Sequence, residues 1–465
     1  MKDTFPESAG ALLPVQVIRI CLVFLLAVQP LIMNPFAFDY YCTPKITAVY
    51  ALILIIAAAA AARLALHRRL TLPGAAPLTL PLVCYGASAV ISTVFSVAPR
   101  LSIRGDRWRE EGVFALLSYV ALTFIFAGFV ESRRQFRGLV QALLVSSTLV
   151  ALYGIVQYLG FNPTEHFVPL FRTASIQSTI GNANFLGKFL VLVLPLHIAW
   201  YLVASSRRGM VLRGAGIMIC FCALVLTFTR ASWVGFLAAL AVFAWAAGSS
   251  LLRGKAGRIA ALLLITLSFS LLIGCYSLVR TAPGRELFFT HARDRIVSSF
   301  DLRTGIGSAT RLFIWEKTIG VIRKRPWIGY GPDANVVAMR SFNLEFNEKF
   351  SQWAILDRAH NNYLDIIVGQ GLLGLTAYLG VVITFLIWLR KTKTREQNES
   401  TKLFYCGMFA ATCGYLVNDF FIFSTVSVSP AFWSLMGITL ACRKLQTPEA
   451  AGRENRPPGT GKSTA

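Results

Sequence analysis

His360 is the residue whose type and setting most clearly suggest chemistry. It sits in Arg358-Ala359-His360-Asn361-Asn362, where a long polar segment gives way to a hydrophobic run. Between Arg280 and His360 the chain holds ten arginines and three lysines against eight acids. An unperturbed imidazole titrates at about pH 6.5, so His360 can serve as a general base in an exposed compartment. A guanidinium offers a planar fork suited to phosphate oxygens. An imidazole and several arginines at the mouth of a hydrophobic bundle therefore suggest chemistry on a phosphate-bearing lipid. The structural alternative is a histidine at a helix start, with Asn361 or Asn362 capping the helix that follows.

Three arginines are candidates for the phosphate. Arg230 lies in Thr227-Phe228-Thr229-Arg230-Ala231-Ser232-Trp233, between two apolar runs. A charge at or within the bilayer edge is costly and usually marks a function or a paired partner; snorkelling to the headgroups is the alternative. Arg311 and Arg358 extend the set, with an ordinary salt bridge as the alternative for each. Weaker candidates are Arg107 in the loop Gly105 to Gly112, Asn182 and Asn184 in Ser178 to Phe185, and Asn361 beside the histidine. Asparagine amides can hydrogen-bond sugar or diphosphate oxygens, whereas the plainer reading of Gly181-Asn182 is a turn and a cap. Asn418-Asp419, in the eleventh expected span, is a weaker candidate still, and packing pairs explain it better. No two acids stand two apart, so the metal-holding Asp-x-Asp of many sugar transferases is missing. Arginines can neutralise a diphosphate leaving group instead, and neither a metal nor a cofactor is expected.

The elements that must position these groups are membrane helices. Apolar residues make up 55% of the 465, charged residues 14%, and mean hydropathy is +0.60. A soluble domain carries about 25% charged residues. A spanning helix needs about 20 mostly apolar residues, because lipid offers backbone groups no partner. Twelve spans are expected: Leu12–Met33, Ile46–Leu66, Leu78–Val97, Val113–Val130, Gly138–Leu159, Phe185–Ala204, Ala215–Thr229, Trp233–Leu252, Ile259–Val279, Leu364–Leu389, Leu403–Phe423 and Ser427–Cys442. The fold class is thus all-α, a polytopic bundle with one large extracytoplasmic loop forming a mostly helical cap. Its parts are a bundle over 1–279, the loop over 280–363, three spans over 364–442, and a disordered tail over 443–465.

Charge orients the stack. With the amino terminus inside, the cytoplasmic segments carry about 23 Lys and Arg and the short outer loops about 7. Long loops do not count in this rule, so both termini face the cytoplasm and the 13 cations of the long loop face out. The first span is expected to be retained, not cleaved as a signal peptide. The net charge of +23 is mostly this cytoplasmic excess, attracted to anionic lipid, and nucleic acid is not an expected partner. Eight of nine cysteines lie in or at the ends of spans and only Cys42 outside, so no outer disulfide is expected. In the loop, Leu312, Trp315, Ile319 and Ile322 share a helix face ended by Pro326; it lies either on the membrane surface or on the bundle. Gly459-Thr460-Gly461-Lys462-Ser463 imitates a phosphate loop but lacks its first glycine, and is set aside.

Four pieces together resemble the O-antigen ligase family of bacterial envelope glycosyltransferases. They are Ile180-Gly-Asn-Ala-Asn-Phe-Leu186, Thr227-Phe-Thr-Arg230, Arg311-Leu-Phe-Ile-Trp315 through Arg325-Pro-Trp-Ile-Gly-Tyr-Gly331, and His360-Asn-Asn-Tyr-Leu364 with Gly369-Gln-Gly-Leu-Leu-Gly374. The resemblance implies a multi-pass inner-membrane enzyme whose active site faces the periplasm. It would move glycan from undecaprenyl diphosphate to an acceptor, which is lipid A–core for ligases. Related members polymerise glycan repeats or glycosylate proteins. His360 would activate the acceptor hydroxyl, Arg230 and Arg311 would hold the diphosphate, and Arg358 is a looser match. Outside the enzyme class, the rival is a transporter of envelope lipids or glycans.

Overall fold

The computed structural model describes residues 9–37, 39–67, 76–159, 176–260, 306–351 and 354–445. The expected span Ile259–Val279 lies almost wholly outside these residues, as do the start of the polar loop and the tail from 446 with its phosphate-loop imitation. Among the described residues every regular element is helical. In chain order these are α1 (Ala9–Ala27), α2 (Cys42–His67), α3 (Thr79–Val94), α4 (Pro99–Arg104), α5 (Val113–Phe129), α6 (Arg133–Tyr158), α7 (Ala183–Leu202), α8 (Arg207–Leu226) and α9 (Arg230–Leu252). After the gap come α10 (Ile306–Lys324), α11 (Asn335–Met339), α12 (Asn343–Phe350), α13 (Asn362–Arg395), α14 (Glu399–Asp419) and α15 (Ser429–Lys444).

Six of the described helices are long and apolar enough to cross a membrane: α2, α6, α7, α8, α9 and α13. Shorter apolar helices stand at three further expected spans, in α1, α3 and α5, whereas α14 and α15, at the last two, belong to neither group. α7 is the hub, with 89% of its apolar window buried, as befits a helix that is hydrophobic all round. Small residues let its neighbours approach backbone to backbone. A Cβ on Gly414 of α14 would stand 2.8 Å from the Gly235 carbonyl of α9, and one on Gly437 of α15 2.5 Å from the Thr123 carbonyl of α5. Polar residues open several helices as caps: Ser132 Oγ accepts from the Gln135 N–H, Ser206 Oγ from Gly209, and Asn398 Oδ1 from Thr401.

The helices between residues 306 and 350 build a second apolar cluster, in which Phe313, Ile314, Val321, Met339 and Phe346 meet Leu356, Ala359 and Val368 of α13. Here the expected face of α10 is displaced. Ile314, Thr318 and Val321 form the buried stripe, while Leu312 and Ile319 are 53% and 45% exposed. Trp315 and Ile322 lie on the border between the two. The apolar residues of α10 cover more than half its circumference, so spacing alone selected the neighbouring stripe.

Two pieces of sequence that looked like separate turns pair in space. α13 is interrupted at Gly371, whose φ of 68° leaves the helical region. The segment Pro326 to Gly331 lies across the break. Tyr330 and Gly331 donate their N–H groups to the Val368 and Gly369 carbonyls, and Leu372 and Leu373 donate theirs to Pro326 and Trp327. Ser92 Oγ of α3 adds a bond to the Gly369 carbonyl at 2.5 Å. A broken helix is tolerated at membrane depth only when neighbours satisfy the freed groups in this way. Glycine is required at 371 because a Cβ there would stand 2.1 Å from the Trp327 carbonyl.

Candidate active site

The loop before α13 carries the histidine and is pinned from several sides. Asn361 is the N-cap of α13, its Oδ1 accepting from the Tyr363 and Leu364 N–H groups at 3.0 and 3.2 Å. The capping alternative weighed for this motif is therefore realised at Asn361. Asn362 does something else: its Nδ2 donates to Asp419 at 3.1 Å and its Oδ1 accepts from Ser424 N–H. One residue before His360, the Ala359 N–H donates to Asp365 Oδ1 at 2.8 Å, and Trp315 Nε1 donates to the Ala359 carbonyl at 2.9 Å. His360 itself takes a positive φ of 51°, an uncommon conformation for a residue bearing a Cβ.

Its ring lies 5.5 Å from that of Phe423, centroid to centroid. Phe423 gathers the site: the Arg109 guanidinium lies 4.7 Å from its ring, that of Arg358 5.6 Å, and the Phe185 ring 5.4 Å. Burial pushes the His360 imidazole down to about 4, and the positive charges of Arg311, Arg109 and Arg358 push the same way while Asp357 opposes them. The histidine is accordingly neutral at neutral pH and free to accept a proton.

The arginines divide into two kinds. Arg358 is 5% exposed and ion-paired with Asp333, with Glu111 3.8 Å away. Burial disfavours its charge, but Asp333, Asp365 and Glu111 outweigh this and hold it firmly protonated. Arg358 is thus the salt-bridge alternative made real, a fixed cation behind the histidine. Arg311 lies in α10, half-buried, close enough to act on the imidazole. Arg230 opens α9 and is also half-buried. Its neighbour Thr229 abuts Gly187, next to Lys188, whose ammonium donates to the Phe423 carbonyl at 3.1 Å. Arg230 therefore opens its helix at the end of the bundle where the histidine lies.

Arg107 is exposed, and Arg109, two residues on, holds the inner position. Its guanidinium pairs with Asp357 at 2.6 Å beside a cleft of about 470 Å³. Asn182 reaches the rim of the same cleft but is also the N-cap of α7, accepting from the Asn184 N–H at 2.8 Å. Gly181 before it must be glycine, since a Cβ would collide with the Tyr41 ring at 2.4 Å.

Of the acids that organise the interior, sequence reasoning passed over Glu111 and weighed Asp419 only as a weak candidate explained by pairing. Glu111 accepts from Tyr119 Oη and Ser424 Oγ at 3.0 and 2.5 Å. Its carboxyl is raised above the usual range by burial, with Arg358 pulling the other way. Asp419 is ion-paired with Lys188, both fully buried, and accepts from Tyr378 Oη at 2.9 Å. The clue was present: a lysine and an aspartate inside apolar runs seldom occur unpaired. What the sequence could not supply was their pairing over 231 positions.

Part of this geometry falls inside a known domain. Residues 215–379 match the family described as O-antigen ligase. Over that stretch the chain is similar to the O-antigen ligase family. Arg230, Arg311, Arg358 and His360 lie within the matched residues, whereas Arg107, Arg109, Asn182 and Asn184 precede them. The chain is 25% identical over 328 residues to the exopolysaccharide production protein ExoQ of Rhizobium meliloti (strain 1021), covering 69% of this chain and 67% of that protein. It is 22% identical over 339 residues to an uncharacterized protein of Haemophilus influenzae, covering 72% of this chain and 78% of that one. With its apolar helices and this match, the protein is an integral membrane protein.

Proposed function

We propose that the protein is a membrane glycosyltransferase that moves glycan from undecaprenyl diphosphate to an acceptor hydroxyl, foremost by ligation to lipid A–core. The observation that carries this reading is a neutral His360 within the electrostatic reach of Arg311, Arg109 and Arg358. His360 takes the proton from the acceptor hydroxyl as its oxygen attacks the anomeric carbon. The bond from that carbon to the diphosphate breaks, and the diphosphate leaves with the electron pair, its charge met by Arg230 and Arg311. One displacement inverts the anomeric centre, and no metal is assigned a part. Arg358 is a positioning residue in this scheme, holding the histidine loop through Asp333 and Glu111. Asn361 also positions, as the cap of α13. Asn182, Asn184 and Arg107 are left with minor contacts to the glycan.

Donor binding also tunes the base. Three guanidiniums suppress the proton affinity of the empty site, and a bound diphosphate cancels part of their field. The imidazole becomes a better acceptor once the donor is in place.

The twelve-span topology belongs to the same proposal: both termini in the cytoplasm, the 306–361 segment capping the periplasmic face of a bacterial inner membrane. Polymerisation of repeats is the second reading, favoured by the likeness to a protein named for exopolysaccharide production. Product analysis separates them. Loss of a ligase leaves full-length chains on the lipid carrier, and loss of a polymerase leaves single repeats. His360→Ala is expected to fold and bind donor but transfer nothing, measured with purified protein in detergent without a gradient. Wild-type turnover in that variant removes the base; transport without transfer favours the non-enzymatic rival.

A further inference from the structure

The cleft beside the histidine has a charge pattern that the transfer chemistry does not require. Arg109 contributes one cation, and Asp357 balances it at 2.6 Å. Two more carboxylates, Asp39 and Asp106, line the same space. Asp39 uses Oδ1 to accept from the Tyr41 and Cys42 N–H groups at 2.7 and 2.8 Å, and Asp106 uses Oδ1 to accept from Trp108 N–H at 3.0 Å. These bonds fix both carboxylates at the wall, and among the described residues no cation pairs with either. The cleft is therefore acidic where the neighbouring histidine pocket is basic.

Its remaining surface mixes the rings of Tyr41, Trp108 and Phe185 and the Asn182 amide with the aliphatic side chains of Ile180, Val336 and Ile355. Trp108 stands 58% exposed along the wall, near Asn182. A flat ring buries the apolar face of a pyranose, while carboxylate and amide oxygens accept from hydroxyls. The aliphatic wall alone would suit an acyl chain, but bringing one in would strip water from Asp39, Asp106 and Asp357 without replacing it, whereas a sugar satisfies both kinds of wall. A diphosphate is repelled by the same charges. The Phe185 wall packs on Phe423, and Phe423 on His360, so two packed rings separate a sugar in the cleft from the base.

We propose that this cleft is a saccharide subsite that takes uncharged or amino-bearing sugars and rejects uronates and other acidic sugars. The inference rests on the transferase reading only for its place in the reaction. The sugar could belong to the donor glycan or to the acceptor, since both present pyranose faces near the transferred bond.

The test uses the full chain in detergent and three β-1,4-linked hexasaccharides, of glucose, glucosamine and glucuronate, titrated by saturation-transfer NMR. Glucose and glucosamine chains are expected to bind at least about tenfold more tightly than glucuronate, the scale of one close charge repulsion. In D39N/D106N, which keeps the Oδ1 acceptors, that gap should close. Equal binding of all three, no binding at millimolar concentration, or a gap unchanged in D39N/D106N overturns the assignment. Trp108→Ala should raise KM about tenfold for one substrate, donor or acceptor, and the one affected is the occupant; no rise in either KM also overturns it. Charge discrimination without any transfer by the wild type would leave the subsite standing and sink the transferase reading.

Discussion

Replacing Arg358 by methionine removes the cation from a buried cluster and leaves Asp333 and Glu111 facing each other. The guanidinium contacts both acids, and all three side chains are at most 6% exposed. Breaking a buried ion pair on one side costs about 3–5 kcal/mol. A second route gives a similar figure. Glu111 can escape by taking a proton, and holding a glutamic acid of ordinary pKa protonated costs about 4 kcal/mol at pH 7. Glu111 is already raised by burial, with Arg358 restraining it. Without Arg358 its folded value climbs further above the unfolded one, so the folded state holds the extra proton and gains stability as pH falls. The deficit of Arg358→Met should shrink by about 3 kcal/mol between pH 8 and pH 5.5. Reversible unfolding in mixed micelles, compared with wild type at both pH values, measures it. A deficit under about 1 kcal/mol at pH 8, or one that ignores pH, would refute the cluster as the role of Arg358. A donor KM effect in a fully stable variant would return the residue to the diphosphate.

Other outcomes follow from the same geometry. The acid limb of kcat/KM should lie near pH 4, where His360 titrates in the empty site, and the limb of kcat should lie higher because bound diphosphate offsets the arginines; coincident limbs near pH 6.5 contradict this. Arg230→Lys should lower transfer by about 10- to 100-fold, the loss of one two-pronged contact. If lysine serves equally well, charge alone matters there. Gly371→Ala should destabilise the protein by at least about 1–3 kcal/mol, seen as a lower thermal midpoint in detergent. An unchanged midpoint would mean that the break in α13 accommodates a side chain.

What was legible in the sequence was mostly local. The histidine loop announces itself by its place between polar and apolar runs, and the Asn361 cap by its position at a helix start. Pro326 ends the helix that carries Arg311, and the expected spans within the described residues fall on helices. What stayed hidden needed distance or register. Arg107 and Arg109 differ by two positions in one short loop, and only the fold decides which turns inward. Phe423 looks like one more apolar residue, yet it touches the histidine and two arginines. On α10 the apolar residues wrap past half the helix, so spacing did not tell the inward stripe of Ile314 and Val321 from the neighbouring one, where Leu312 and Ile319 are exposed. Lys188 and Asp419 were visible as charges, but nothing local tells a lysine which distant acid it will meet.

The strap from Pro326 to Gly331 has a mechanical consequence. It is stitched into α13 by four main-chain hydrogen bonds, on the same short stretch that follows the Arg311 helix and precedes the histidine loop. Swinging that helix outward would have to tear these stitches together, each worth about 0.5–1.5 kcal/mol net and more when left bare in lipid. The roof and the span beneath it therefore travel as one body. In the proposed transfer, selectivity would then fall to the fixed walls around His360 instead of to a moving gate.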